Sequence, residues 1–335
     1  MTRISPALMP RRHRRSALLL VAPIVLAVSG MSPSAFTSPG QSQTEQQKPI
    51  SVISELVVVP VSVTDTRGNF VPGLSREDFR VHEDNHPREI ALFEHEDTPA
   101  TVGLLVDHSG SMGSKLPDIA TAVSGFTHAS DPRDEMFVVD FGDEVTVELP
   151  GGKPFTSSAA DIETAILGVS AQGRTALYDA VAAGLNHLRL AHWQKRALII
   201  VSDGGDNASW YKYPQILEWA RQSQVVIYSI GLVDERGEEE NPRVLDKLCQ
   251  DTGGIAFFPG SGSAIMDSTA RISRDLREQY ILGFVPEARV EPDAFHKIQV
   301  QVVATQHGKL HVRTRPGYSV AGSGDAYPKP EGDKP

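Results

Sequence analysis

The sequence has a single cysteine, Cys249, among its 335 residues. A lone cysteine cannot form an internal disulfide, so the chain has to be stabilised by its hydrophobic core. Cys249 lies beside Leu245 and Leu248 in a stretch with helical character. This setting favours a small buried residue over a nucleophile. We therefore expect neither a disulfide scaffold nor a disulfide partner.

Positive charge is also in the minority. The chain has 32 Lys and Arg against 42 Asp and Glu, which gives a formal net charge of −10 at pH 7. An acidic surface repels phosphate backbones, so nucleic acid is not an expected partner.

A long apolar run is missing as well. The most apolar N-terminal stretch, Ala17 to Met31, is interrupted by Pro23 and Gly30. It is too short for a comfortable membrane span, which needs ~20 apolar residues. Basic residues precede this stretch and no acidic residue occurs before Glu45. That order is typical of a secretory signal peptide.

We accordingly predict a signal peptide over 1–36 and a secreted, periplasmic or cell-envelope location; an uncleaved N-terminal anchor is the alternative. Residues 37–50 are rich in Ser, Gln, Thr and Pro and are expected to be a linker. Residues 320–335 have almost no apolar side chains and are expected to be a disordered tail.

Two flanking regions show the alternation of β-strands. Valines occupy positions 57, 59, 61 and 63, and apolar residues 298, 300 and 302 alternate with polar ones. Alternation places such side chains on one face of a strand. The pattern predicts a β-rich segment over 51–97 and a C-terminal β segment over 278–319. If these segments pair into a small β domain, the region between them is an insertion.

The middle of the chain, 98–277, has a different pattern. Continuous apolar strands suit a parallel sheet buried on both faces. Helical periods separate them, most clearly the apolar stripe from Leu177 to Leu188. Alternating strands and helices predict a doubly wound α/β domain with a mostly parallel sheet. The four apolar stretches are Val102–Val106, Met136–Val139, Ala197–Val201 and Val225–Ile230.

Oxygen-bearing side chains follow two of these strands. Asp107, Ser109 and Ser111 come after the first, Asp203 follows the third, and Thr175 begins the striped helix. In open α/β sheets, ligands bind at the carboxyl ends of the strands. A set of carboxylates and hydroxyls suits a hard cation, Mg²⁺ or Mn²⁺. Because such a set does not saturate the ion, an acidic side chain of a partner can take the remaining position. The alternative is that these residues only form turns and helix caps.

Asp107-x-Ser109-x-Ser111, Thr175 and Asp203, each in its strand and loop context, resemble the metal-ion-dependent adhesion site of von Willebrand factor type A domains. The resemblance covers about 100–277. It implies a Mg²⁺ ion held by these residues, partly through water, and adhesion to a protein ligand that presents Asp or Glu. The flanks Val63–Asp65, Gly73–Phe79 and Tyr280–Phe284 further resemble bacterial, especially acidobacterial, exported proteins with such a domain.

Two further features belong to the same edge of the sheet. Trp210, Tyr211 and Tyr213 follow Asp203 and are candidates for partner binding. Packing beneath their own helix is the alternative. The acidic run Asp234–Glu240 follows the fourth strand. It is either a solvated loop or the source of a Glu that competes for the open metal position.

The sequence has no signature of a hydrolase. No nucleophile elbow follows a strand, and no P-loop or His-Glu-x-x-His motif is present. His108, the imidazole at the predicted site, is expected to point to solvent. We therefore predict a non-catalytic protein-binding module. The alternatives are a Mg²⁺-dependent hydrolase with His108 as base, and an envelope structural protein whose metal only stabilises a loop.

Overall fold

The computed structural model describes residues 56–95, 97–147, 149–166, 169–234, 240–286 and 294–320. The predicted signal peptide, linker and nearly all of the predicted tail lie outside these residues. The strands are β1 (Val57–Thr64), β2 (Phe79–Glu83), β3 (His86–Arg88), β4 (Leu92–Glu94), β5 (Ala100–Asp107), β6 (Glu135–Phe141), β7 (Val145–Thr146), β8 (Lys195–Ser202), β9 (Val226–Gly231), β10 (Ala256–Phe257), β11 (Tyr280–Phe284), β12 (Phe295–Val302), β13 (His311–Thr314) and β14 (Gly317–Ser319). The helices are α1 (Leu116–Ala129), α2 (Ala159–Ile166), α3 (Leu177–His187), α4 (Tyr213–Gln222), α5 (Pro242–Thr252) and α6 (Gly262–Glu278).

A six-stranded sheet forms the centre of the α/β domain. Its order is β10-β9-β8-β5-β6-β7, and every pairing is parallel except that of the short edge strand β7. All eight residues of β5 are buried, as expected for a parallel strand covered on both faces. One group of packed helices comprises α1, α2 and α6, and another comprises α3, α4 and α5. The prediction of a mostly parallel α/β sheet is confirmed.

The flanking segments pair with each other across the chain. One antiparallel sheet has the order β13-β1-β11-β4, and a second has the order β14-β12-β2-β3. Val59 lies opposite Leu282 in the first sheet, and Val81 lies opposite Val300 in the second. Their inner faces share a separate hydrophobic core. The predicted small β domain is therefore confirmed, and the α/β unit is inserted between β4 and β11.

A tight hairpin turn joins β2 to β3 in the second of these sheets. The chain turns at Asp84 and Asn85, which have φ of 48° and 68°, and β3 begins at His86. Two residues with positive φ make the tight hairpin turn that matches strand twist. The chain then leaves this sheet, and β4 joins the other one.

Within the described residues, no helix combines the length and the apolar character needed to cross a lipid bilayer.

Candidate metal centre

The first part of the site is the carboxylate of Asp107, the last residue of β5. Asp107 is fully buried. Its Oδ1 accepts the backbone N–H of Ser109 at 2.9 Å, and its Oδ2 accepts the hydroxyl of Ser202 at 2.6 Å. Ser202 is the last residue of β8, which pairs with β5 in parallel. Two neighbouring strands therefore fix this carboxylate at the carboxyl end of the sheet.

A line of hydroxyl and carboxylate groups continues from the β5 loop to the β8 loop. The Oγ atoms of Ser109 and Ser111 are 3.2 Å apart, and Ser111 donates its hydroxyl to Asp203 Oδ2 at 2.7 Å. The other oxygen of Asp203 accepts the N–H of Gly205 at 3.0 Å. Ser109 and Asp203 are buried, whereas Ser111 is exposed. The group is thus closed towards the sheet and open to solvent at Ser111.

The loop that carries Thr175 is hydrogen-bonded to the loop after β5 and to the loop after β8. Gly110 donates its N–H to Gly173 O at 3.0 Å, and Thr175, itself buried, donates its N–H to Asn207 Oδ1 at 2.8 Å. Gly173 has a φ of +77°, and a Cβ there would lie 2.0 Å from a carboxylate oxygen of Asp143, so glycine is required. All five predicted ligands therefore lie on three mutually bonded loops.

Burial raises the free energy of the charged Asp107 carboxylate when no cation is near. It raises the pKa of Asp107 from 3.8 to about 6; hydrogen bonds from Ser109 and Ser202 oppose this rise, and the charge of Asp203 adds to it. The Asp107 carboxylate is thus held in a poorly solvated place, where its charged form is disfavoured unless an opposite charge is near.

The donor chemistry fits a hard divalent ion. The five side chains offer two carboxylates and three hydroxyls, with no nitrogen or sulfur. Among the residues that the structure describes, no three His, Cys, Asp or Glu side chains are placed to share one metal ion. A cation here would therefore depend on Ser109, Ser111 and Thr175 besides the two carboxylates. Mg²⁺ suits such a site, because it retains several waters when bound.

Comparison with known proteins identifies the domain. The family model of the von Willebrand factor type A domain matches residues 102–205, which contain all five of these side chains. The chain carries a von Willebrand factor type A domain. A search of curated proteins gives no match.

Solved structures with similar folds have low sequence identity. A von Willebrand factor type A protein from Catenulispora acidiphila is 12% identical, with a TM-score of 0.48, over 68% of this chain and 67% of that one. BatB from Bacteroides thetaiotaomicron is 18% identical, with a TM-score of 0.42, over 52% and 98%. The pilus adhesin SpaC from Lactobacillus rhamnosus GG is 11% identical, with a TM-score of 0.43, over 73% and 48%.

A buried lysine beside the candidate metal centre was not predicted from the sequence. Lys115 lies just before α1 and is 5% exposed. Its Nζ is 2.7 Å from Glu240 Oε1, 3.5 Å from Asp234 Oδ2 and 3.7 Å from Asp203 Oδ2. Burial alone would lower the pKa of Lys115, but the hydrogen bond to Glu240 and the charges of the three acids outweigh it and raise the pKa. No sequence signal identifies such a residue, since a lysine at a helix start is ordinarily exposed.

His108 does not point to solvent, so that prediction is wrong. The side chain is 4% exposed and its Nδ1 pairs with the Asp140 carboxylate of β6. The reason is that β5 pairing extends past Asp107: His108 donates its N–H to Phe141 O at 2.8 Å. The imidazole is therefore packed against β6 rather than presented at the open side of the site.

The three aromatic candidates have different environments. Trp210 is 37% exposed. Tyr211 is 7% exposed and packs edge-on against Trp219 of α4, with ring centroids 4.8 Å apart. Tyr213 begins α4, is half-buried and lies 5.9 Å from the Tyr178 ring. Tyr211 thus follows the packing alternative, while partner contact through Trp210 stays a prediction.

The acidic run is only partly described. Glu240 accepts a hydrogen bond from Lys115 and also accepts the backbone N–H of Asp234, at 2.9 Å to each carboxylate oxygen. The Glu240 carboxylate therefore faces Lys115. Glu238 and Glu239 lie outside the described residues, so their competition for the metal stays a prediction.

Proposed function

We propose that this chain is an exported, non-catalytic adhesion module that holds Mg²⁺, or Mn²⁺, and binds a partner protein through an acidic side chain. The von Willebrand factor type A domain supports the broader role of a protein-interaction module. The observation that carries the proposal is the hydrogen-bonded line from Ser109 through Ser111 to Asp203, which lies beside Asp107 and is open at Ser111.

The five candidate ligands would contribute to ion binding in two ways, through negative charge and through neutral oxygens. Asp107 and Asp203 would supply two negative charges to the ion, and Ser109, Ser111 and Thr175 would add neutral oxygens. The bound ion would supply a positive centre with a replaceable water. Because the protein donors only balance its charge, an Asp or Glu of a partner is a favourable last ligand. The hydrogen bonds among the three loops fix the donors before the partner arrives, which lowers the entropic cost of binding.

Export is supported by the order of basic, apolar and small residues at the N-terminus. Detection of the mature chain outside the cytoplasm, with its first residue near position 37, would be the direct test. A mature protein that begins at Met1 would contradict cleavage.

The metal site is tested by thermal unfolding in EDTA and in Mg²⁺ or Mn²⁺. We expect the melting temperature of the parent protein to rise with added ion, because a ligand that binds only the native state stabilises it. Asp107→Ala should abolish this rise, and Thr175→Val should reduce it. Thr164→Val, on the exposed face of α2, is the matched control and should respond like the parent. A parent protein indifferent to both ions would refute the metal site.

The adhesive role is tested by affinity capture from the extracellular or envelope fraction, with and without EDTA. We expect a protein partner that EDTA releases, and weaker capture by Trp210→Ala. An ion that raises the melting temperature without any EDTA-sensitive partner would instead favour a structural role for the metal.

The hydrolase alternative has its own test. Turnover of a phosphoester panel with Mg²⁺, lost in His108→Ala, would favour catalysis. We expect no turnover above the blank, because the His108 ring is buried against Asp140.

A further inference from the structure

We infer that Lys115 is a built-in competitor of the divalent cation: its ammonium neutralises Asp203 when the ion is absent, and its charge lowers the affinity of the site for the ion. This inference rests on the proposed metal site and concerns how that site is regulated.

Lys115 and the proposed ion share one carboxylate. Asp203 Oδ2 accepts the Ser111 hydroxyl at 2.7 Å and is 3.7 Å from Lys115 Nζ. A cation that uses Ser111 and Asp203 would therefore lie close to the ammonium group. Because Lys115 and Asp203 are both buried, repulsion between the two positive groups would be less screened than at the protein surface.

Glu240, which lies just before α5, holds the lysine in this position. Glu240 Oε1 accepts its hydrogen bond at 2.7 Å, and the N–H of Asp234 fixes the Glu240 carboxylate. The next residue, Asn241, donates its backbone N–H to Asp203 O at 3.1 Å. The start of α5 is thus bonded both to Lys115 and to the loop of Asp203.

This arrangement gives the cation-free site a charge balance of its own. Without an ion, Asp203, Asp234 and Glu240 surround a single ammonium group. With an ion, Asp203 would be shared between two positive groups, and Glu240 would carry more of the charge of Lys115. Moving the Lys115 charge from Asp203 towards Glu240 costs free energy, which makes ion binding less favourable. The site would therefore bind the ion only at higher ion concentration.

The test is calorimetric titration with Mg²⁺ and Mn²⁺ of the full chain and of Lys115→Met. We expect Lys115→Met to bind either ion about tenfold more tightly than the parent, because it removes the competing charge. The matched control is Lys195→Met. Lys195 is 6% exposed, faces acidic groups, and lies at the opposite end of β8 from Ser202. This control should bind the ions like the parent.

Thermal unfolding distinguishes competition from a merely structural role. A competitor stabilises the ion-free protein most, so Lys115→Met should lower the melting temperature more in EDTA than in saturating Mg²⁺. An equal loss in both conditions would overturn the inference. If Lys115→Met does not fold, the isosteric Glu240→Gln serves instead. It leaves the ammonium without its main counter-charge and should weaken ion binding severalfold; unchanged or tighter binding would overturn the inference.

The possible failures are separable. If the parent binds an ion and Lys115→Met binds it equally or more weakly, the inference fails and the proposed metal site remains. If neither the parent nor any variant shows ion-binding heat or a melting shift, the proposed function fails and the inference fails with it.

Discussion

Ser202 donates its hydroxyl to Asp107 Oδ2 at 2.6 Å, and both side chains are fully buried. The bond joins the last residues of two adjacent parallel strands, β5 and β8. It sets the orientation of the most buried carboxylate at the candidate metal centre.

The first prediction removes this bond. Ser202→Ala should lower the free energy of unfolding by about 1–3 kcal/mol, because a buried carboxylate loses one of its hydrogen-bond donors. It should also reduce the melting shift caused by Mg²⁺, since Asp107 is less well oriented. Urea unfolding in EDTA measures the first effect. Ser157→Ala, at an exposed position, is the control and should change stability by less than about 0.5 kcal/mol. Equal stability of the two variants would contradict this role of Ser202.

The second prediction concerns the loop of Trp210. The Asp179 carboxylate, on α3, accepts the backbone N–H groups of Trp210 and Tyr211 at 3.0 Å. Asp179→Ala should therefore increase amide hydrogen exchange of these two residues about tenfold, because their opening no longer breaks these bonds. Asp267→Ala, at an exposed site on α6, should leave their exchange unchanged. Unaltered protection in Asp179→Ala would show that other contacts order the loop.

The placement of Asp107 and Asp203 at one edge of the sheet could be predicted, because it follows from the order of the strands. Asp107 directly follows one continuous apolar strand, and Asp203 lies two positions after another. Parallel strands have their carboxyl ends at one edge of a sheet. The pairing of the flanks could also be predicted, since the alternating valines of β1 form an apolar face that has to be covered by other residues. Hydrophobic periodicity and the polar residues at strand ends were therefore sufficient for these parts of the molecule.

Residues whose roles arise from contacts distant in sequence were missed. Lys115 gains its role from Glu240, which is 125 positions away in the chain. His108 was misplaced because its burial depends on Asp140 of the neighbouring strand. Ser202 had a weak signal: it is a polar residue at the end of an apolar strand, directly before a predicted ligand.

The third prediction concerns the only thiol. Cys249 is fully buried on α5, and burial raises its pKa from 9 to about 12. The thiol should therefore stay protonated at pH 8 to 9, and a disulfide reagent should not react with the native protein within minutes. In denaturant, one equivalent should react at once. Rapid labelling of the native protein would contradict the buried position.

The last prediction concerns the junction between the α/β domain and the β domain. Asp275 of α6 accepts hydrogen bonds from Ser62 of β1 at 2.8 Å and from Tyr228 of β9 at 2.7 Å, and it pairs with Arg313 of β13. Removing one partner of a buried ion pair leaves the other charge unpaired. Asp275→Ala should thus lower the free energy of unfolding by about 3–5 kcal/mol. Asp97→Ala, which removes an exposed ion pair with Arg133, should cost about 0–1 kcal/mol.

The same variant tests whether the two domains unfold together. All three tryptophans lie in the α/β domain, so their fluorescence follows that domain, whereas circular dichroism follows both. In the parent protein the two urea transitions should coincide, because Asp275 joins both domains in one buried network. In Asp275→Ala they should separate. If the parent transitions are already separate, the network does not couple the domains, and the cost of Asp275→Ala should then be confined to the fluorescence transition.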